Sequence, residues 1–408
     1  MSDMRYIITE YAFHDTKGVL SFSLDMKTNV MTSVNFTPFN QGDTAIGDIF
    51  VAKVTNVVKQ INAAFILYAP NKKGYLPIQG YTPIITNRQY DGRILVGDEI
   101  IVQLEKEAVR TKEPVFTMNL SLAGKFSVIS YANTYKGVSK KCTKLERAQL
   151  RAAIPQEIDF GVVVRTNAAS LLSKLDERQS FDILQPVTEE INYLNQKMSF
   201  LIQEGIHRTC FSRIWKSPSG YLTAMRDEGV IYQQIITDSS NLYQELKDFV
   251  TLYMPEQVAN ISMYQDNSYP LQKLYRVETQ ISELLSKKVW LKSGAYLIIE
   301  KTEAMYVIDV NSGKNIMKKE MAAYIYEINI EAANEIMRQI RLRNLTGMIL
   351  VDFINMEDDE KTDALLQELR VLAKKDHIQT TIIDMTALGL VEITRRKTTK
   401  SLAEQLGL

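Results

Sequence analysis

Cysteine and histidine are scarce in this chain, with two cysteines (Cys142 and Cys210) and three histidines (His14, His207, His377) among 408 residues. So few soft ligands, so far apart, exclude a disulfide framework, a thiolate zinc site and a histidine-based metal centre. Charge of one sign is also missing, because 48 Lys plus Arg balance 48 Asp plus Glu. That excludes a histone-like or basic-tail binder and leaves any polyanion to local patches. No apolar run approaches the roughly 18–20 residues of a membrane span, and Met1–Phe13 lacks the basic-then-apolar pattern of an export signal. The chain therefore reads as soluble, unexported and cytoplasmic, with no membrane partner. Internal repeats, low-complexity tracts and long Pro/Gly linkers are absent as well. Whatever chemistry is present must run on carboxylates, hydroxyls, lysines and arginines.

What is present exceeds one core, since single cores stop growing at roughly 250–300 residues. Three alternating runs open the chain, MRYIITEYA, GVLSFSLD and NVMTSVNF, separated by short polar turns, and predict an antiparallel meander. Three strands alone bury too little. Candidate partners lie far downstream, in a strand at GVIYQQIIT, a helix near Asn241–Leu252 and a strand at NISMYQ, which implies one domain split by a long insertion.

Within the insertion, Gly47–Leu122 carries five short alternating runs, the count and spacing of a small five-stranded barrel of OB type. Phe65, Tyr68 and Tyr75 fall on neighbouring strands, where exposed rings stack bases, and Lys53, Lys72, Lys73, Lys106 and Lys112 are candidates for the same face. The competing reading puts Phe65 in the core and leaves the lysines as solvated edge guards. From Gly124 to Ser217 the pattern is mixed: a basic helical stretch with Lys136, Lys140, Lys141, Lys144, Arg147 and Arg151, an apolar strand FGVVVRT, and a long amphipathic helix near Thr188–Glu204. The basic cluster reads as a solvated helix face before it reads as a ligand site.

The region Val289–Arg396 is the most informative. Two apolar runs, AYLIIE and MYVIDV, face each other across a turn, and the second ends with Asp309, Asn311, Ser312 and Gly313. A helix with apolar positions at Ile325, Ile328, Ala332, Ile336 and Ile340 leads to GMILVDFINM, which carries Asp352 near its end. A second helix, Asp359–Lys375, then leads to QTTIIDM, so the order predicts parallel pairing of the three strands. Asp309 and Asp352 then share the carboxyl edge of the sheet, where open sheets of this kind place ligands. Embedded in apolar runs, both carboxylates are expected to need a cation, because burying a lone charge costs several kcal/mol. Oxygen ligands with Asn311 beside them suit Mg²⁺ or Mn²⁺. Alternatively, each Asp caps the following helix or pairs with Arg338, Arg341 or Arg343.

The stretches VIDVNSGK, NIEAANEIMRQIRLRNLTGMILVDFINM and LGLVEITRRK resemble the catalytic region of the ribonuclease E/G family of endoribonucleases. The resemblance extends in the same order over nearly the whole chain, through GDIFVAKVTNVVKQINAAFILYAPNKKGYLPI, SLAGKFSV and FGVVVRTNA. It implies an α/β multidomain fold: a split ribonuclease-H-like domain (1–40 and 219–280), an inserted OB-fold β-barrel that binds RNA (41–122), a 5′-end sensor domain (123–218) and a deoxyribonuclease-like α/β catalytic domain (281–408). It further implies a metal-dependent endoribonuclease that hydrolyses single-stranded RNA to 5′-phosphate ends in RNA processing and decay. The alternative is an RNA-binding protein on the same scaffold with weak or lost cleavage. By match of motif, Asp309 and Asp352 hold Mg²⁺ with Asn311 completing the catalytic set. The RNA grip falls on Phe65, Tyr75, Lys106 and Lys112. The 5′-phosphate pocket falls on Arg165 and Thr166, with backbone from Gly124–Val128. Asn355 stands where many members carry an acidic residue, and Gln379 where some carry a basic one. The family's zinc link needs a CxxC pair that these residues lack, so no structural zinc is expected and any homo-oligomer is expected to form without it.

Overall fold

The computed structural model describes residues 3–39, 44–78, 84–108, 112–172, 180–266, 268–313, 321–356 and 358–408. The chain divides into two compact units, Met1–Asn40 with Gly220–Leu408, and the inserted Gln41–Ser219. In the first unit, strands Met4–Phe13, Thr16–Asp25 and Met31–Pro38 form the antiparallel meander. Strand Tyr232–Thr237 pairs in parallel with Met4–Phe13, and Ile261–Met263 pairs in parallel outside it. Strand alternation splits the side chains between two cores. Tyr6 and Ile8 pack with Leu246 and Phe249 of helix Ser240–Tyr253, whereas Ile7 packs on the opposite side with Phe22, Phe36 and Ile281. This second core also takes in Leu342, Leu402 and Leu406, tying the meander sheet to the remainder of the unit.

That remainder is a six-stranded sheet in the spatial order Lys288–Trp290, Tyr296–Lys301, Met305–Asn311, Gly347–Asp352, Leu390–Arg395, Thr380–Met385. Helices Met321–Leu342 and Asp359–Lys374 cover one face, where Leu297, Ile308, Ile349, Val351, Val391 and Ile393 meet Ile336, Ile340, Leu365 and Leu369. The alternate residues of these strands lie on the other face, which leaves Met348 and Ile383 exposed. Met305–Asn311 and Gly347–Asp352 pair in parallel, as expected. The expectation fails for QTTIIDM. Strand Leu390–Arg395 folds back directly after Thr380–Met385 and inserts between it and Gly347–Asp352, antiparallel to both. A four-residue loop is too short for a crossover and permits only a hairpin.

In the inserted unit, strands Ile49–Val58, Ala63–Ala69, Lys72–Pro77, Val115–Thr117 and Glu99–Lys106 close into a five-stranded barrel through the Ile49–Val58 to Glu99–Lys106 pairing. Its interior holds Val54, Ile66, Leu76, Leu104 and Phe116, and also Tyr68, which packs against Phe50 and Phe116. Tyr68 is therefore core rather than a base-stacking ring, because its position on the strand faces inward. A four-stranded sheet, in the order Lys136–Val138, Gly161–Val164, Ser127–Ser130, Ser121–Ala123, packs against helix Ser180–Gly205. That helix begins earlier than the periodicity suggests and includes Pro186. Among the described residues no helix is long and apolar enough to cross a membrane.

One ion pair holds the far edge of the six-stranded sheet. Arg395 and Asp376 are each 2% exposed; Arg395 Nε donates to Asp376 Oδ2 at 2.7 Å, and Nη1 donates to Asn344 Oδ1 at 2.6 Å. Burial works to raise the Asp376 carboxyl, but the hydrogen bond and charge of Arg395 hold it below the ordinary carboxylate range. Because the folded group titrates lower than the unfolded one, its stabilisation is present above the unfolded value of about 4 and is lost as pH falls through the folded value. Arg395→Ala strands a buried carboxylate and is expected to cost about 3–5 kcal/mol in urea melts at neutral pH. The deficit should shrink once the medium is acid enough to protonate Asp376. A variant as stable as wild type at neutral pH would show that the pair contributes nothing net.

Candidate active site and nucleic-acid surfaces

Alternation along Met305–Asn311 sends Ile308 and Val310 into the core and turns Asp309 and Asn311 to the open face. The same rule on Gly347–Asp352 buries Ile349 and Val351 and turns out Asp352. Asp309 and Asp352 are direct partners in the parallel ladder, one strand spacing of about 4.8 Å apart. Asn311 Nδ2 donates to Asp309 Oδ2 at 2.7 Å and fixes that carboxylate. Both aspartates are exposed, so the expectation that burial compels a cation is overturned: their direct neighbours Ile308, Val310 and Val351 line the opposite face. Among the described residues neither Asp309 nor Asp352 pairs with Arg338, Arg341 or Arg343, and the helix after Asp352 is capped by Asp358 instead. Arg338 pairs with Glu335, Arg343 with Gln339, and among the described residues neither carboxylate makes an ion pair. Among the described residues no cluster of three His, Cys, Asp or Glu side chains forms, and Asp309 and Asp352 stand beside Asn311 at this edge.

Two supports were not legible in advance. Asn329, fully buried on helix Met321–Leu342, donates from Nδ2 to Ile354 O at 2.8 Å and accepts from Ile354 N at 3.2 Å, anchoring the loop that follows Asp352. Its signal was a lone amide on the buried stripe between Ile328 and Ala332. Glu331, two residues on, accepts the backbone N–H of Lys292 at 2.7 Å and so holds the turn before Tyr296. Gly313 approaches that turn closely: at φ 73°, an added Cβ would lie 2.7 Å from Gly294 O. The turn and the end of the Asp309 strand therefore abut.

On the barrel, Phe65 pairs with Tyr75, Tyr75 with Val115, and Val115 with Lys106. The three candidates Phe65, Tyr75 and Lys106 thus lie in one row across four strands. The two rings are half-buried and meet edge to face at 5.9 Å, so neither belongs to the barrel core. Lys112 is exposed three residues before Val115.

In the four-stranded sheet, Arg165 follows Gly161–Val164 and its Nη1 donates to Gly124 O at 2.7 Å, with Thr166 exposed beside it. Val128 pairs with Val163 and Ala123. The amides of Lys125 and Phe126, expected to face a phosphate, donate instead to the Glu190 carboxylate at 2.7 and 2.9 Å, and Ser127 Oγ adds a third bond at 2.7 Å. A Cβ at position 124 would fall 2.3 Å from Glu190 Cδ, which explains the glycine. The structure so brings Arg165, Thr166 and Gly124 together while assigning two of the loop amides to Glu190.

An open-faced α/β sheet with paired strand-end carboxylates, accompanied by a closed five-stranded barrel, defines a multidomain α/β protein. The chain belongs to the ribonuclease E/G family, whose profile matches residues 121–398. It is 33% identical to Ribonuclease G of Haemophilus influenzae over 376 residues, covering 88% of this chain and 74% of that protein. It is 29% identical to Ribonuclease G of Escherichia coli (88% and 74% covered) and 30% identical to Ribonuclease E of a Nostoc species (90% and 53% covered).

Asn329→Ala removes both bonds to Ile354 and is expected to destabilise the protein by about 1–3 kcal/mol, because a buried N–H and C=O lose their partners. Chemical denaturation measures this, and a change below about 0.5 kcal/mol would show that the loop does not depend on Asn329.

Proposed function

We propose that this protein is a metal-dependent endoribonuclease that cuts single-stranded RNA by hydrolysis, leaves 5′-phosphate ends and serves RNA processing and decay in the cytoplasm. The observation that carries this reading is the side-by-side register of Asp309 and Asp352, with Asn311 bonded to Asp309, in a family whose named members are ribonucleases. Two adjacent like charges on a ladder are unfavourable unless something positive sits between them. A hard cation fits this set, since Mg²⁺ is commonly held by one or two carboxylates and keeps waters for its remaining positions. Asp309 and Asp352 would hold it, with Mn²⁺ as the alternative ion. When bound, such an ion supplies charge neutralisation at the phosphate and an acidified water. Asn311 keeps Asp309 in one orientation, and Asn329 and Glu331 keep the two adjoining loops in place. The barrel row Phe65, Tyr75 and Lys106, with Lys112, supports an OB-type grip in which rings stack bases and ammonium groups meet the backbone.

The order of the meander sheet, three antiparallel strands followed by two parallel ones, supports a ribonuclease-H-like unit.

Asp309→Asn and Asp352→Asn should each slow Mg²⁺-dependent cleavage of a short single-stranded RNA on the order of a hundredfold or more, equivalent to about 3 kcal/mol. Binding measured by anisotropy should stay near wild type. Cleavage at the wild-type rate by either variant, or cleavage that ignores Mg²⁺ removal, would sink the assignment.

Arg165 and Thr166 support a pocket for a 5′-monophosphate, formed by a guanidinium fork and a hydroxyl. With two nearby amides engaged by Glu190, one charge-assisted contact of roughly 1.5–3 kcal/mol gives about a ten- to hundredfold preference over a 5′-hydroxyl. Comparing the two 5′ ends in wild type and Arg165→Gln tests this. Equal rates in wild type, or a preference that survives the substitution, would remove Arg165 from the role.

A further inference from the structure

The open face of the six-stranded sheet carries an aromatic cluster beside the carboxylates. Trp290, on the edge strand Lys288–Trp290, pairs directly with Tyr296, and Tyr296 pairs directly with Asn311. Directly opposed residues of antiparallel strands share a face, so Trp290, Tyr296 and Asn311 form one row. The adjacent row runs Lys288, Ile298, Asp309, Asp352. The Trp290 and Tyr296 rings meet at 5.2 Å and 64°, and Lys288 Nζ lies 3.9 Å from the first centroid and 3.8 Å from the second. Among the described residues no carboxylate lies within ion-pair reach of Lys288, whose charge is instead placed against two ring faces.

Trp290 is nonetheless 63% exposed. A large apolar ring left in water gains nothing from the hydrophobic effect, yet here the ring is held in one orientation by Tyr296 and Lys288. With strands about 4.8 Å apart, Trp290 stands roughly 10 Å from Asn311 along its row, a span of one to two nucleotides. Only a single strand that runs across the β-strands, with its scissile phosphate over the carboxylate row, meets this ring.

We infer that Trp290, braced by Tyr296 and Lys288, stacks on a nucleobase within two nucleotides of the scissile phosphate and holds the strand across the carboxylates. The inference rests on the endoribonuclease reading for its substrate. The ring supplies a stacking surface that any base can use, and the Lys288 ammonium lies on the Asp309 side of it, where it can meet the connecting phosphate. This makes Trp290 a substrate-positioning residue on the catalytic sheet itself.

Kinetics on RNAs bearing an abasic site at each position in turn tests the stack. On intact RNA, Trp290→Ala should lose about tenfold in kcat/KM, chiefly through KM, equivalent to about 1.4 kcal/mol. Trp290→Phe should recover most of it. On the RNA abasic at the stacked position, wild type and Trp290→Ala should cut equally. The inference is overturned if Trp290→Ala matches wild type on intact RNA, or if it loses the same factor on every abasic RNA, the mark of a merely structural ring. Should wild type fail to cleave at all with Mg²⁺, the endoribonuclease reading falls, and a second measurement decides the stack. The chain has two tryptophans, so Trp215→Phe leaves Trp290 as the sole indole. Single-stranded RNA added without metal should quench its emission, and an unchanged spectrum at saturating RNA overturns the stack.

Discussion

The period of two along a β-strand is the constraint on which the candidate site depends. It lets one short run serve two solvents, with Ile308, Val310, Ile349 and Val351 in the core and Asp309, Asn311 and Asp352 in water. A one-residue slip of either strand would bury a carboxylate and expose an isoleucine or valine, so core packing and carboxylate pairing fix the same register. The apolar helices therefore position the acidic pair without touching it. Glu331 and the Asn329 clamp extend that control to the loops at the strand ends.

Much of this arrangement could be read from the chain. The alternating meander, the barrel runs, and the pairing of Met305–Asn311 with Gly347–Asp352 follow from hydrophobic period and turn residues. Read as strands sandwiched between helix layers, YVIDV and ILVDF are buried on both faces, and that reading wrongly buries Asp309 and Asp352. Among the described residues only one face of this sheet carries helices, and nothing in a short apolar run distinguishes the two cases. The inserted strand Leu390–Arg395 was overlooked because its pairing is decided by a tight hairpin and by Arg395 reaching Asp376, a partner on a different element. Glu190 was missed for a related reason: its partners are main-chain N–H groups about 65 residues away, and backbone donors leave no trace in a sequence.

Carboxylates are held in different ways along the chain. In the inserted unit a single carboxylate, Glu190, gathers two amides and a hydroxyl and shapes a loop. In the first unit, Glu228 lies among Ser23, Ser33 and Tyr232, and burial pushes its carboxyl above the ordinary range even though these hydroxyls donate to it. A hydroxyl-lined site tolerates the charged form only in part, whereas the Asp376 site, with a full guanidinium opposite, favours it. The same residue class is thus held on opposite sides of its normal titration by what faces it.

The meander sheet has a consequence for how the chain comes off the ribosome. Arg5 and Gln234, neighbours across the parallel pairing, are 229 residues apart. At roughly 5–20 residues per second, the first strand waits about 10–45 s for its partner to be made. During that interval the inserted unit emerges whole, with its own cores, while the edge of Met4–Phe13 that Tyr232–Thr237 will cover remains a row of unsatisfied backbone donors and acceptors. An unpaired strand edge of that length is a template for wrong partners. Nascent chains of this protein therefore have a window in which their earliest strand must be shielded, and the length of that window is set by the size of the insertion rather than by the stability of the finished fold.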